Sequence, residues 1–125
     1  MSEAKTIFVI DDHETARNLL AGILASADYR VLTMVSAADA LDQAKTRKPD
    51  LIVVDMNMPG MTGWEAAKAF RAMPETASTA ILGVSAHSTA GDHDAAHAAG
   101  CNAYVTKLLN PAPLLNAVAE LLASN

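Results

Sequence analysis

Five polar side chains stand at the ends of short apolar runs, and their types together could carry out phosphoryl chemistry. They are Asp11, Asp12, Asp55, Ser85 and Lys107. Three carboxylates that lie close together repel one another, so a site that keeps them all ionised needs a cation. Mg²⁺ suits two or three carboxylates with a carbonyl and retained waters. One carboxylate could then attack a phosphoryl group whose charge Mg²⁺ and Lys107 neutralise, while Ser85 donates a hydrogen bond.

Each of these residues has a more ordinary explanation when it is taken alone. An aspartate at the end of a strand is more often a turn or cap residue than a ligand, and a lone serine or lysine says even less. The conjunction of five suitable residues at four strand ends is what favours a metal-assisted phosphoryl site.

Short apolar runs alternate with amphipathic segments along the whole sequence. The runs are typical of strands and cover residues 6–10, 30–34, 50–55, 79–85 and 102–106. Helix signals follow them, among them Ser36 as a cap and a final helix that Asn110 and Pro111 begin. Five strand-helix pairs predict an α/β fold with a doubly wound, five-stranded parallel sheet and five helices on its two faces. Ligands of such a sheet bind beyond the carboxyl ends of the strands, where the five polar residues stand.

Length and composition exclude several other classes of protein. The 125 residues match one domain, and no linker is left over for a separate output or catalytic domain. Nine basic and 14 acidic residues give a formal net charge of −5, without the basic patch of a nucleic-acid binder. The apolar run at 7–10 is too short for a signal peptide or a membrane span. The single cysteine, Cys101, fits a reducing compartment, and we expect a cytoplasmic protein.

The sequence resembles the CheY-like receiver domains of two-component response regulators over essentially its whole length. The motif VVDMNMPGMTG carries Asp55 where the family has its phospho-acceptor, and Asp11 and Asp12 match the family's acidic pair. Ser85 follows Asp55 by 30 positions, and Lys107 follows Ser85 by 22, both similar to the spacings of the chemotaxis regulator. The resemblance implies a flavodoxin-like strand order of 2-1-3-4-5 and one receiver domain over residues 1–125, without an output domain.

The resemblance also implies how a phosphoryl group and Mg²⁺ would be held. Asp55 would accept the phosphoryl group from a phosphohistidine and form an acyl phosphate. Mg²⁺ would be held by Asp12, Asp55 and the backbone carbonyl of Asn57, with Asp11 reaching it through water. Such a domain phosphorylates and dephosphorylates itself but is not otherwise an enzyme.

Three further residues would act in the switch that the resemblance implies. Lys107 would bridge to the phosphoryl oxygens, and Ser85 would swing in to bond one of them. Tyr104 matches the aromatic residue that rotates inward as the hydroxyl moves, although on sequence grounds alone it could equally be a strand residue with its hydroxyl in water.

The implied partners are proteins. A sensor histidine kinase or a histidine phosphotransfer protein would donate the phosphoryl group, and a target would read the surface made by the fourth helix, fifth strand and fifth helix. We expect a monomer that contacts neither nucleic acid nor a membrane. A phosphate sink or a relay intermediate would use the same site, whereas an unphosphorylated scaffold or a metal-dependent small-molecule phosphatase would be a different kind of protein.

Several other residues are open to two interpretations. His93 and His97 have a spacing that can bind a metal but fit a solvated helix, and His87 fits an exposed loop. His13 can simply begin the first helix. The family usually follows its lysine with a cis proline, whereas Leu108 follows Lys107 here. Because a cis bond before a non-proline residue costs roughly 2.5 to 4 kcal/mol, we predict a trans Lys107-Leu108 bond.

Overall fold

Each predicted apolar run forms a strand in the computed structural model. The structure describes residues 4–56, 58, 60–85, 90–106 and 112–123, without the side chains of 90–93 and 106. The strands are β1 (Thr6–Ile10), β2 (Arg30–Met34), β3 (Leu51–Asp55), β4 (Ala80–Ser85) and β5 (Ala103–Thr106). The helices are α1 (Glu14–Ser26), α2 (Ala37–Ala44), α3 (Gly63–Ala72), α4 (Ala90–Ala99) and α5 (Ala112–Ala123). The observed strand bounds lie within one residue of the predicted ones.

The strands form one parallel sheet in the order β2-β1-β3-β4-β5. This order confirms the predicted doubly wound fold. The chain leaves β1 toward one side of the sheet and returns to start β3 on the other, so the order reverses between β1 and β3. A crevice for ligands is expected at this point, beyond the carboxyl ends of these two strands.

Side chains of alternate strand residues pack into two separate hydrophobic cores, one on each face of the sheet. One core lies under α2, α3 and α4 and takes side chains such as Phe8, Ile52 and Ile81. The other lies under α1 and α5 and takes neighbours such as Ile7 and Val53. Because both faces of the sheet are covered, β3 is buried at every position and apolar from Leu51 to Val54.

The alanine-rich helices explain the composition of the chain. Ala40, Ala66, Ala67 and Ala96 are fully buried and lie in the core under α2, α3 and α4. Such small side chains let a helix backbone lie close to the sheet. Ser36 caps α2 as expected, since its hydroxyl accepts a hydrogen bond of 3.2 Å from the amide of Asp39.

Arg71 joins the loops that enter β4 and β5, at the edge of the sheet opposite the crevice. Its guanidinium donates to the carbonyl oxygens of Gly100 and Thr76, at 3.0 and 3.2 Å, and to Oδ1 of Asn102 at 2.6 Å. Cys101 is buried beside it. Burial raises the pKa of the Cys101 thiol to about 11, and the nearby Arg71 charge opposes this shift. Burial also lowers the pKa of Arg71.

Among the described helices, none has both the length and the apolar character that a membrane crossing requires.

Candidate functional site

The pairing of β1 with β3 brings two of the predicted carboxylates together. Ile10 pairs with Val54, so Asp11 and Asp55 come next at the same level of the sheet. Asp11 has no exposed surface and Asp55 is 3% exposed. Two aspartates at this depth are costly unless partners or a cation compensate their charge.

The pairing of β4 with its neighbours places Ser85 at the same edge. Asp55 pairs with Val84, so Ser85 lies one residue beyond the level of Asp55, and Ser85 pairs with Thr106 of β5. Ser85 is buried. Lys107, the residue after Thr106, lies outside the described residues, as do Asn57 and the Lys107-Leu108 bond, so their predicted roles stay predictions.

Four ligand groups form a tight cluster in the crevice. One ligand atom from each of Asp11, Asp12, His13 and Asp55 lies within 4.8 Å of all the others. Asp12 Oδ1 is enclosed, and among the described side chains it is the buried oxygen or nitrogen that lacks a hydrogen-bond partner. An enclosed carboxylate oxygen without a donor is suited to a metal ion, so the cluster fits Mg²⁺.

The turn after β1 holds Asp11 in a defined orientation. Its Oδ1 accepts a hydrogen bond of 3.0 Å from the amide of His13, and its carbonyl accepts one of 3.0 Å from Nη1 of Arg17. Its own amide donates to the carbonyl of Met34 at 3.2 Å. His13 begins α1, as the sequence suggested, but its side chain makes no capping hydrogen bond. The imidazole therefore does not cap α1 and instead lies beside the carboxylates of Asp11 and Asp12.

The loop after β3 is tied down at both ends, which restricts the motion of Asp55. The amide of Met56 donates to Val84 at 2.9 Å, and the amide of Gly63 donates to Met56 at 3.3 Å. A Cβ on Gly63 would lie 2.5 Å from the Cα of Met56 and 2.8 Å from the carbonyl oxygen of Asp55. Only glycine therefore lets the start of α3 approach the loop this closely.

A reciprocal capping box fixes the start of α3 beside this loop. Thr62 Oγ1 accepts from the amide of Glu65 at 3.3 Å, and Glu65 Oε1 accepts from the amide of Thr62 at 3.1 Å. Both bonds satisfy amides that an uncapped helix start would leave without a partner. The loop after β3 therefore leads into a well-anchored helix.

Tyr104 is buried on the α4 side of β5. Its ring stacks on Trp64, with 6.1 Å between centroids and 18° between planes. A Cβ on Gly83 would lie 3.2 Å from Cδ1 of Tyr104, so this glycine makes room for the ring. The structure thus has the aromatic ring turned inward rather than standing in water.

The cluster contains one member that the sequence did not assign to the site. His13 Nδ1 lies 3.2 Å from Oδ1 of Asp12 and 3.6 Å from Oδ1 of Asp11. The signal available in the sequence was only its position after the acidic pair. His97, in contrast, is an exposed residue of α4, while the side chain of His93 and all of His87 lie outside the described residues.

Comparison with known proteins assigns the class of the chain. The family model of the response regulator receiver domain matches residues 7–119. The polar-differentiation response regulator DivK of Brucella ovis is 28% identical over 103 residues, which cover 82% of this chain and 84% of DivK. The chain therefore belongs to the response regulator receiver family, the phosphorylatable switches of two-component signalling.

Solved structures agree with this assignment. The chemotaxis protein CheY4 of Vibrio cholerae superposes with a TM-score of 0.89 and 29% identity, covering 94% of this chain and 98% of CheY4. The response regulator TrrA of Thermotoga maritima, solved in complex with Mg²⁺ and BeF, superposes with a TM-score of 0.84 and 29% identity, with the same coverages of 94% and 98%. Mg²⁺ is general in the family, and the acidic cluster suits it.

Proposed function

We propose that Asp55 is the phospho-acceptor of this receiver domain and takes a phosphoryl group from a phosphohistidine. The observation that carries the proposal is the convergence of Asp55 with Asp11 and Asp12 at the switch point of the sheet. Asp55 ends the central strand β3 and is almost fully buried. The donor would be a sensor histidine kinase or a histidine phosphotransfer protein.

In the proposed reaction an oxygen of Asp55 attacks the phosphorus atom. The new bond joins this oxygen to phosphorus, and the phosphorus-nitrogen bond of the donor breaks, so the imidazole leaves with the electron pair. Asp12, Asp55 and the backbone carbonyl of Asn57 would hold Mg²⁺, with Asp11 reaching it through water. Bound Mg²⁺ supplies charge neutralisation for the phosphoryl oxygens.

Two residues of the neighbouring strands would complete the site. Lys107 would place its ammonium group against the phosphoryl oxygens, since a cation there offsets charge that the transferred group brings. Ser85, at the end of β4, would donate its hydroxyl to one of these oxygens. Phosphorylation would in this way draw the ends of β4 and β5 toward Asp55.

Tyr104 would couple this movement to the surface that partners bind. Its ring packs between Trp64 and Gly83, one strand away from Ser85, so a shift of Ser85 changes the space that the ring can occupy. We propose that a target protein reads the face formed by α4, β5 and α5. Residues 1–125 would act as a single receiver domain, as a monomer and in the cytoplasm.

The test is phosphorylation followed by intact-mass measurement. The protein is incubated with Mg²⁺ and acetyl phosphate, and in parallel with a phosphorylated histidine kinase. We expect a gain of one labile phosphoryl group, lost in Asp55→Asn and in EDTA and kept in Asp42→Asn, an exposed acid of α2. No gain with either donor would indicate an unphosphorylated scaffold, and sustained hydrolysis of unrelated phosphoesters would indicate a phosphatase.

A second measurement separates a terminal switch from a relay or a sink. Phosphorylated protein is mixed with candidate histidine phosphotransfer proteins, and the label on each partner is followed. A switch keeps the phosphoryl group until hydrolysis and changes its binding to a target. A relay intermediate passes the group on, whereas a sink loses it by hydrolysis without changing any binding.

A further inference from the structure

His13 stands at the rim of the crevice, with its ring nitrogen facing the acidic pair. The side chain is 70% exposed, yet Nδ1 lies 3.2 Å from Asp12 Oδ1 and 3.6 Å from Asp11 Oδ1. The approach to Asp12 lacks the alignment of a hydrogen bond, since Asp12 Oδ1 has no hydrogen-bond partner. A close contact without a hydrogen bond leaves both atoms available to a third group.

The separations between these atoms are those of neighbouring ligands around one cation. Octahedral ligands with bonds of about 2.0 to 2.1 Å lie roughly 3 Å apart along each edge. Nδ1 of His13 and Oδ1 of Asp12 are close to that spacing, and one ligand atom each of Asp12, His13 and Asp55 lies within 4.8 Å of the others. Because the imidazole is 70% exposed, few neighbouring atoms restrict its rotation toward an ion.

We propose that His13 supplies a nitrogen ligand to the metal of this site and shifts its preference from Mg²⁺ toward divalent transition metals. The inference rests on the proposed metal site of Asp11, Asp12 and Asp55. Imidazole is a favoured ligand of ions such as Ni²⁺, Zn²⁺ and Fe²⁺, whereas Mg²⁺ is best served by oxygen atoms and water. A site made only of oxygen ligands prefers transition metals over Mg²⁺ no more than their general affinity for ligands dictates. A site with three carboxylates and an imidazole should prefer them more strongly.

The experiment compares Co²⁺ with Mg²⁺ by calorimetry in wild-type protein, His13→Ala, His13→Gln and the exposed control His97→Ala. We expect both His13 variants to lose about tenfold or more in Co²⁺ affinity, the scale on which the immediate surroundings of a metal affect its binding. Their Mg²⁺ affinity should change by less than about threefold, because Mg²⁺ gains little from nitrogen. His97→Ala should match wild-type protein for both ions.

Proton NMR of the Co²⁺ complex gives a second readout that a structural role would not move. A ring C–H proton of an imidazole coordinated to Co²⁺ does not exchange with water and is strongly shifted by the paramagnetic ion, and this signal should be present in wild-type protein and absent from both His13 variants. Persistence of the signal in the variants, or equal losses of Co²⁺ and Mg²⁺ affinity, would overturn the inference. If wild-type protein is phosphorylated with Mg²⁺ but shows no such signal, His13 is not a metal ligand while the proposed function stands. If no phosphorylation occurs at all, the proposed function itself is refuted.

Discussion

Removal of the Asp55 charge should make the metal-free protein more stable. The substitution Asp55→Asn keeps the shape of the side chain and removes one of three carboxylates whose ligand atoms lie within 4.8 Å of one another. Two unit charges at that distance repel by about 0.9 kcal/mol in water and by about 3.5 kcal/mol at an effective dielectric constant near 20. Asp55 and Asp11 are both buried, so their repulsion lies nearer the larger figure.

Part of this gain is offset because an amide cannot replace every hydrogen bond that the carboxylate accepts. We therefore expect Asp55→Asn to raise the free energy of unfolding by about 2 kcal/mol in EDTA. For a domain of this size the melting temperature should rise by roughly 6 to 10 °C. Urea titration and thermal melting, both followed by circular dichroism, measure the two quantities.

Added Mg²⁺ should reverse the order of stability, so that wild-type protein has a larger free energy of unfolding than Asp55→Asn. An ion that binds the folded state stabilises it by about 2.7 kcal/mol when its concentration is 100 times the dissociation constant, and Asp55→Asn lacks one of the proposed carboxylate ligands. Asp42→Asn, an exposed change on α2, should move the free energy of unfolding by no more than about 0.5 kcal/mol in either condition. A metal-free Asp55→Asn protein that is no more stable than wild type would refute the account of a strained acidic site.

Three other substitutions test the framework around the site, and urea titration measures each of them. Gly63→Ala places a Cβ 2.5 Å from the Cα of Met56, so we expect a loss of roughly 3 kcal/mol, because backbone atoms cannot move aside cheaply. Thr62→Ala removes the capping box and should cost about 1 kcal/mol. Burial raises the pKa of Cys101 from 9.0 to about 11, so the folded protein keeps the thiol proton at a pH where the unfolded chain loses it. The stability that depends on the protonated thiol is therefore complete below pH 9 and is lost as the pH rises toward 11. Cys101→Ala should therefore spare the protein about 2 kcal/mol of alkaline destabilisation at pH 11.

Each of these substitutions has a control. Gly22→Ala on α1 meets no atom within 4 Å and should stabilise the protein by about 0.5 to 1 kcal/mol, so equal behaviour of the two glycine variants would contradict the packing argument. Thr62→Ser should keep the cap and most of the stability. Parallel pH profiles for wild type and Cys101→Ala would show that the thiol does not ionise on unfolding.

Much of the fold was predictable because its signals are local. A run such as 51–54 is apolar at every position, which is typical of a short strand covered on both faces. Ser36 was recognisable as a cap from its place before an apolar helix face. The strand bounds came within one residue for the same reason, since turn residues flank each run.

The site was predictable in part. Asp11 and Asp55 could be assigned to one edge of the sheet because the carboxyl ends of parallel strands meet there, and their register confirms that arrangement. The inward position of Tyr104 was left open, since a strand sequence does not say whether the ring finds a space. The stacked ring of Trp64 and the missing side chain of Gly83 provide that space.

The sequence by itself determined which residues form strands and which carboxylates end them, because burial imposes a pattern of apolar residues on neighbouring positions. Only the tertiary structure decided where His13 points and which loops Arg71 joins. Arg71 donates to Gly100 and Asn102, 29 and 31 positions away. Contacts of that kind depend on how helices pack across the sheet, and the direction of a side chain in a turn depends on the atoms that surround it. Neither the long-range contacts nor the side-chain direction produces a recognisable pattern in the sequence.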